Sequence, residues 1–101
     1  MDHLPGYERW LTLEKKAAAN TLSSYLRDVR QFLSFLSASG LEPERVGQRT
    51  LEQFVKHLTT QGKSKSTITR SIASLKSFYT YLQIEGYVTS NPAKSIAPIR
   101  A

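Results

Sequence analysis

Between Lys63 and Ile84 the chain places four cations, Lys63, Lys65, Arg70 and Lys76, and no acid. The run opens on Ser64-Lys65-Ser66-Thr67, which reads as a helix start. A helix start offers free backbone N–H groups, and here hydroxyls and positive charge accompany them, a combination suited to a phosphate chain. The asymmetry is regional: residues 63–101 hold six Lys or Arg against the single acid Glu85, within a formal charge of +6 for 101 residues. Nucleic acid is the leading partner on this evidence.

Other chemistries find little footing. The absence of cysteine excludes disulfides, thiolate metal sites and cysteine nucleophiles, and the two histidines, His3 and His57, lie far apart with no partner at ligand spacing. No metal site and no cofactor are expected. His57, beside Leu58, has no serine or carboxylate arrangement that makes it a base, and reads as a surface or boundary residue. Tyrosine can attack a phosphodiester, but Tyr7, Tyr25 and Tyr79 fall on or beside apolar stripes, which assigns them to the core or its rim; no catalytic residue is assigned. No run approaches the roughly 18 apolar residues of a membrane span, and the first residues lack the apolar core of a signal peptide. The chain reads as soluble and cytoplasmic, with no membrane partner.

Four amphipathic helices account for the hydrophobic pattern, at about residues 5–15, 19–38, 50–61 and 65–85. Pro5 suits the first turn of the first, whose inner face is Tyr7, Trp10, Leu11 and Glu14. Leu22, Leu26, Val29, Leu33 and Leu36, flanked by Tyr25 and Phe32, form the stripe of the second, and Ser39-Gly40 ends it. Thr50 is the expected cap of the third, with Gln53 at the reciprocal position and Leu51, Phe54, Val55 and Leu58 facing inward. The fourth carries Ile68, Ile72, Leu75, Phe78/Tyr79 and Leu82 and closes near Gly86. A short helical turn from Asn91-Pro92 through Ile96 fits before Ala97-Pro98-Ile99-Arg100, which reads as the start of a linker. The fold class is thus all-α, one compact four-helix bundle.

On this phasing the outer face of the fourth helix is Thr67, Arg70, Ser74, Ser77 and Tyr81. Short hydroxyl side chains let a helix approach DNA closely, and Arg and Lys supply counter-charge. The second helix repeats the theme with Asn20, Thr21, Ser24, Arg27 and Gln31, although Asn20 and Thr21 equally suit capping of their own helix. Arg70 has two readings: a phosphate contact, or an ion pair with Asp28, the one acid of the second helix. Lys63, Lys65 and Ser66 complete the expected contact set.

Leu13-Glu14-Lys15, Asn20-Thr21 followed by Tyr25, Asp28, Phe32 and Leu36, Ser66-Thr67 with Arg70, Leu75-Lys76 with Phe78-Tyr79 and Tyr81-Leu82, and Asn91-Pro92 together resemble the N-terminal core-binding domain of tyrosine recombinases. That family includes phage integrases and Xer resolvases, and the resemblance runs from about Tyr7 to Pro98. It implies a SAM-like four-helix domain, residues 1–98, forming one half of a clamp on duplex DNA, with residues 99–101 starting a linker to a separate C-terminal catalytic domain of the parent chain. It implies that Asn20, Thr21 and Tyr25 lie by the DNA from the second helix, and Lys65, Thr67, Arg70 and Ser74 from the fourth. Ala18 stands where relatives often carry serine, and Ile72-Ala73-Ser74-Leu75 moves a serine one step around the helix from the common Leu-Ser-Ala-Leu. The family's catalytic arginines, lysine, histidines and tyrosine belong to the other domain. The chain is therefore expected not to cut or join DNA alone, while its parent acts in a tetramer of recombinase protomers through a 3′-phosphotyrosine, without metal or nucleotide. The competing reading is a helical protein-interaction module that docks on a recombinase, with Tyr7 and Trp10 as its contact surface.

Overall fold

The computed structural model describes residues 2–96, and the expected linker start at 99–101 lies outside them. Among the described residues there are four α-helices, α1 (Leu4–Leu13), α2 (Ala19–Ala38), α3 (Gln48–Thr60) and α4 (Lys65–Ile84), with one 3-10 turn at Pro43–Arg45 between α2 and α3. The all-α bundle follows the hydrophobic periods closely, and its core unites Tyr7 and Leu11 of α1, Val29, Phe32 and Leu36 of α2, Leu51, Phe54 and Leu58 of α3, and Ile68, Ile72, Leu75, Phe78, Tyr79 and Leu82 of α4.

Each helix end has a local cause. Pro5 stands in the first turn of α1, where its missing N–H has no partner to lose, and the Asp2 carboxylate accepts from the Leu4 N–H at 3.1 Å. α1 stops at Leu13, two residues short of the expected end, because Lys16 adopts a left-handed backbone with φ 49° and the Ala17 N–H turns back to the Leu11 carbonyl. Gly40, at φ 68°, ends α2 in a Schellman motif: its N–H reaches the Ser37 carbonyl at 3.0 Å and that of Leu41 reaches Leu36 at 2.9 Å. At α3 the expectation fails. The helix begins at Gln48 with Gly47 as its cap residue, no side chain caps it, and Thr50 lies within the first turn, donating its N–H to the Gly47 carbonyl at 3.1 Å. Extended backbone at Gly47 lets one carbonyl receive that turn, so the Thr50 hydroxyl has no end to cap. At α4, Ser64 is the cap: its Oγ accepts from the Thr67 N–H at 3.1 Å and donates to Thr67 Oγ1 at 3.0 Å.

α4 is the hub. It packs against α1, α2 and α3, and buries Ser71, Ser74 and Tyr81 as well as its apolar stripe. The rings interlock edge to face, Tyr7 with Phe78 at 5.3 Å and Phe32 with Phe54 at 5.3 Å between centroids, an arrangement that adds about 0.5–1.5 kcal/mol per pair beyond burial. Two buried phenols find partners: Tyr7 donates to Ser77 Oγ at 2.9 Å, and Tyr79 donates to the Pro43 carbonyl at 2.7 Å, tying the 3-10 turn to α4. In the tail, the expected short turn forms as two i→i+3 bonds without becoming a helix: the Lys94 N–H reaches the Asn91 carbonyl at 3.2 Å and the Ile96 N–H reaches Ala93 at 3.1 Å. Asn91 also hooks the tail onto α4, its Nδ2 donating to the Lys76 carbonyl at 3.1 Å and to Thr80 Oγ1 at 3.3 Å while its Oδ1 accepts from the Ala93 N–H at 3.0 Å.

Gly6 marks the closest approach of α1 to α4, since a Cβ there meets the Tyr81 hydroxyl and ring. Gly6→Ala is expected to lower stability by about 1–3 kcal/mol, measured as a fall in the denaturant midpoint, because the confined Tyr81 ring must shift. Burial pushes the Tyr7 and Tyr79 phenols well above their ordinary value; the Ser77 hydroxyl opposes this at Tyr7, and the Glu44 charge adds to it at Tyr79. The unfolded chain releases these protons near the ordinary value of about 10 while the fold retains them, so the contribution of these two groups to stability is constant below that pH and falls above it. Thermal melts at stepped alkaline pH should show this decline, and Tyr79→Phe should make it shallower.

Candidate nucleic-acid interface

The expected contact residues divide into three groups by what surrounds them. The first is exposed at helix starts. Asn20 and Thr21 stand in the first turn of α2, whose cap residue is Ala18 and which no side chain caps. The capping alternative for Asn20 and Thr21 is thereby excluded, and the hydroxyl and amide side chains of this turn face water. Lys63, Lys65 and Ser66 are exposed around the start of α4, and Thr67 is half-buried against Ser64. With no acid in the first turn of either helix, the field at both N-terminal ends is positive. Among the described residues no side-chain hydrogen bond joins the α2 group to the α4 group.

The second group is taken up by the core. Ser74, expected on the outer face of α4, is 0 % exposed, and Tyr81 is buried against α1. Ser77 is half-buried and receives the Tyr7 hydroxyl. The reason is that α4 has helices on several sides, so the small hydroxylated residues that permit close approach are approached by α1 and α2. Ser74 retains no outward face, while Ser77 stays partly exposed with its oxygen engaged by Tyr7. Ser24 and Tyr25 are half-buried on α2, with Tyr25 packed against the core.

Arg70 forms the third group, and here the ion pair exists. Its Nε donates to Asp28 Oδ2 at 2.9 Å and its Nη2 to Oδ1 at 2.8 Å, a forked pair in which both carboxylate oxygens are used. Ser74 Oγ donates to the same Oδ2 at 2.7 Å and lies 3.0 Å from the Arg70 carbonyl. The Asp28 side chain is 2 % exposed and that of Arg70 36 %, so the carboxylate is inside and the guanidinium reaches the surface. The hydrogen bond to Asp28 holds the Arg70 pKa above its ordinary value, against a smaller opposing effect of burial. Ser74 was thus an apparent ligand residue that is in fact a support for Asp28. The sequence carried a signal for this: Asp28 stands three residues after Tyr25 and four before Phe32, which places it on the buried flank of α2.

His3 was not expected inside. It is buried against Tyr87 and Phe78, with Nε2 3.0 Å from Glu44 Oε1 but off the line that a hydrogen bond requires. His57 is exposed on α3 beside Phe35, a boundary position as expected. Among the described residues no group of three or more His, Cys, Asp or Glu could hold a metal ion, and no helix is long and apolar enough to cross a membrane.

Comparison with known proteins gives this geometry a family. Residues 4–86 match the family described as phage integrase, N-terminal SAM-like domain. The chain is 30% identical over 98 residues to tyrosine recombinase XerC of Thermodesulfovibrio yellowstonii, covering 97% of this chain and 32% of that protein. It is 34% identical over 93 residues to tyrosine recombinase XerD of Chlorobaculum tepidum, and 33% identical over 93 residues to XerD of Listeria monocytogenes; these cover 92% and 90% of this chain and 31% of each relative. The chain therefore spans about a third of the length of the curated relatives it matches. No solved structure matches it. With four helices in this order and a match over most of its length, the chain belongs to the N-terminal SAM-like domain family of phage integrases.

Proposed function

We propose that this chain is the DNA-binding domain of a site-specific tyrosine recombinase, gripping duplex DNA beside the site of strand exchange and performing no chemistry alone. The observation that carries the reading is the exposed start of α4, where Lys63, Lys65 and Ser66 stand free at the head of a helix that has no acid from Lys65 to Ile84. Asn20 and Thr21 on the uncapped first turn of α2 supply a second set of N–H groups and side chains suited to phosphate. Arg70 adds its outward edge, and Ser24, Tyr25 and Thr67 flank these groups. In the parent protein the partners are the duplex, a C-terminal catalytic domain that closes the clamp, and other protomers in a tetramer; integration and chromosome-dimer resolution both use such an assembly.

The protein-interaction reading loses Tyr7, which is fully buried in the core, but a different observation speaks for it. Leu13 and Ile84, 63 % and 62 % exposed, line a groove between α1 and α4 together with Gly6, Trp10 and Tyr81 and the charged Arg9, Glu14 and Glu85. The cationic helix starts lie elsewhere on the chain, so the two surfaces can be told apart.

One domain meets few phosphates, so binding by the isolated chain should be weak and steeply dependent on salt, with Lys65→Ala lowering the slope of log K against log salt by about one. Fluorescence anisotropy on a labelled duplex measures both. Amide shift mapping in the same titration should move Asn20, Thr21, Lys65 and Ser66; shifts confined to Trp10, Leu13 and Ile84, with no salt dependence, would instead support the docking reading.

A further inference from the structure

Asp28 is a buried acid directly behind Arg70 on a face expected to bind a polyanion, and simple charge counting makes it a liability there. The geometry argues otherwise. A guanidinium has two forked edges, one formed by Nε and Nη2 and the other by Nη1 and Nη2. Asp28 occupies the first edge with both of its oxygens, at 2.9 and 2.8 Å. Among the described residues the second edge takes no hydrogen bond, and the Arg70 side chain is the exposed member of the pair. Asp28 itself is fixed from behind by the Ser74 hydroxyl at 2.7 Å, and Ser74 is fully buried.

A free arginine on a helix surface samples many rotamers and loses that freedom on binding, a cost that grows with the length of the side chain. Arg70 has already been ordered by folding. We infer that Asp28 is a positioning residue for DNA binding: with Ser74 behind it, it clamps the inner edge of Arg70 so that the outer edge is presented, oriented in advance, to one backbone phosphate. The inference rests on the DNA-binding reading above. Phosphate is favoured over a base edge by location, because Arg70 lies one turn beyond Ser66 and Thr67, next to the positive end of α4 and its lysines.

The proposal makes a prediction opposite in sign to charge counting. Asp28→Asn raises the net charge by one and, on electrostatics alone, tightens binding; if Asp28 positions Arg70, it weakens binding by about tenfold, the range of one charge-assisted contact. Ser74→Ala retains both charges and tests the support separately, with an expected loss of about threefold. Affinities of the 101-residue chain and both variants for one duplex are measured by anisotropy at low salt, at a temperature where circular dichroism shows each to be folded. The Arg70 Nε–H resonance of the unaltered chain provides a readout that needs no substitution: it should remain protected from solvent exchange, free and DNA-bound, while the Nη groups shift on binding. A duplex with a methylphosphonate at successive positions should show one position whose effect is lost in Asp28→Asn; an effect that instead follows a guanine-to-7-deazaguanine change, which removes the N7 acceptor, would overturn the choice of phosphate. Binding by Asp28→Asn as tight as that of the unaltered chain, or release of Nε–H protection when DNA binds, overturns the role of Asp28 and leaves the DNA-binding reading intact. Failure of the unaltered chain to bind DNA in a salt-dependent way overturns both.

Discussion

Everything in this domain is arranged around a helix that has little outside. α4 meets the three other helices and buries nine of its residues, among them two serines and two tyrosines. A helix so enclosed cannot be polar by half-turns, and each polar group it buries must be met by another. Ser74 is met by Asp28, the Tyr79 hydroxyl by the Pro43 carbonyl, and Tyr7 reaches across to Ser77. These few directed contacts fix how α1, α2 and the 3-10 turn sit on the hub, while the aromatic and aliphatic stripe provides most of the driving force.

The same enclosure explains which features were legible in the sequence. Helix count, order and core were readable, because Leu22–Leu36 and Ile68–Leu82 repeat at three and four residues and Gly40 marks a stop by the one property that distinguishes it. The outer face of α4 was misread because period alone reveals one buried stripe, not how many neighbours a helix has; Ser74 and Tyr81 are polar by type and interior by context. Thr50 misled in a different way: a threonine with glutamine three residues on has the chemistry of a cap, but Gly47 began the helix first. His3 and the Asn91 hook were beyond reach, since each depends on a contact between segments far apart in the chain.

The Arg70–Asp28 pair joins the two concerns of this domain, holding its shape and meeting a ligand. From sequence these were alternatives, as though the arginine had one hand. In the folded chain the carboxylate is inside and the guanidinium straddles the boundary, so a single side chain has an inner edge that belongs to the core and an outer edge that belongs to the surface. An ion pair of this kind adds less to stability than its geometry suggests, because desolvation of Asp28 offsets much of the attraction. Its contribution is the fixed orientation of a group at the surface.

The Asn91 hook has a mechanical consequence. The chain leaves α4 at Ile84, turns through Gly86, and is fastened back to the helix at Lys76 and Thr80, about two turns and one turn upstream of where it left, with Ala93 and Ile96 inserted in the core just beyond. A pull on the segment after Ile96 therefore does not peel α4 from its C-terminal end. It is resisted first by two buried side chains and the asparagine's hydrogen bonds, and is passed to the middle of α4 as a sideways load on the whole bundle. The turn between Ile84 and Asn91 is itself held, by Gln83 Nε2 donating to the Thr89 carbonyl at 3.2 Å and by the Tyr87 ring packing on His3.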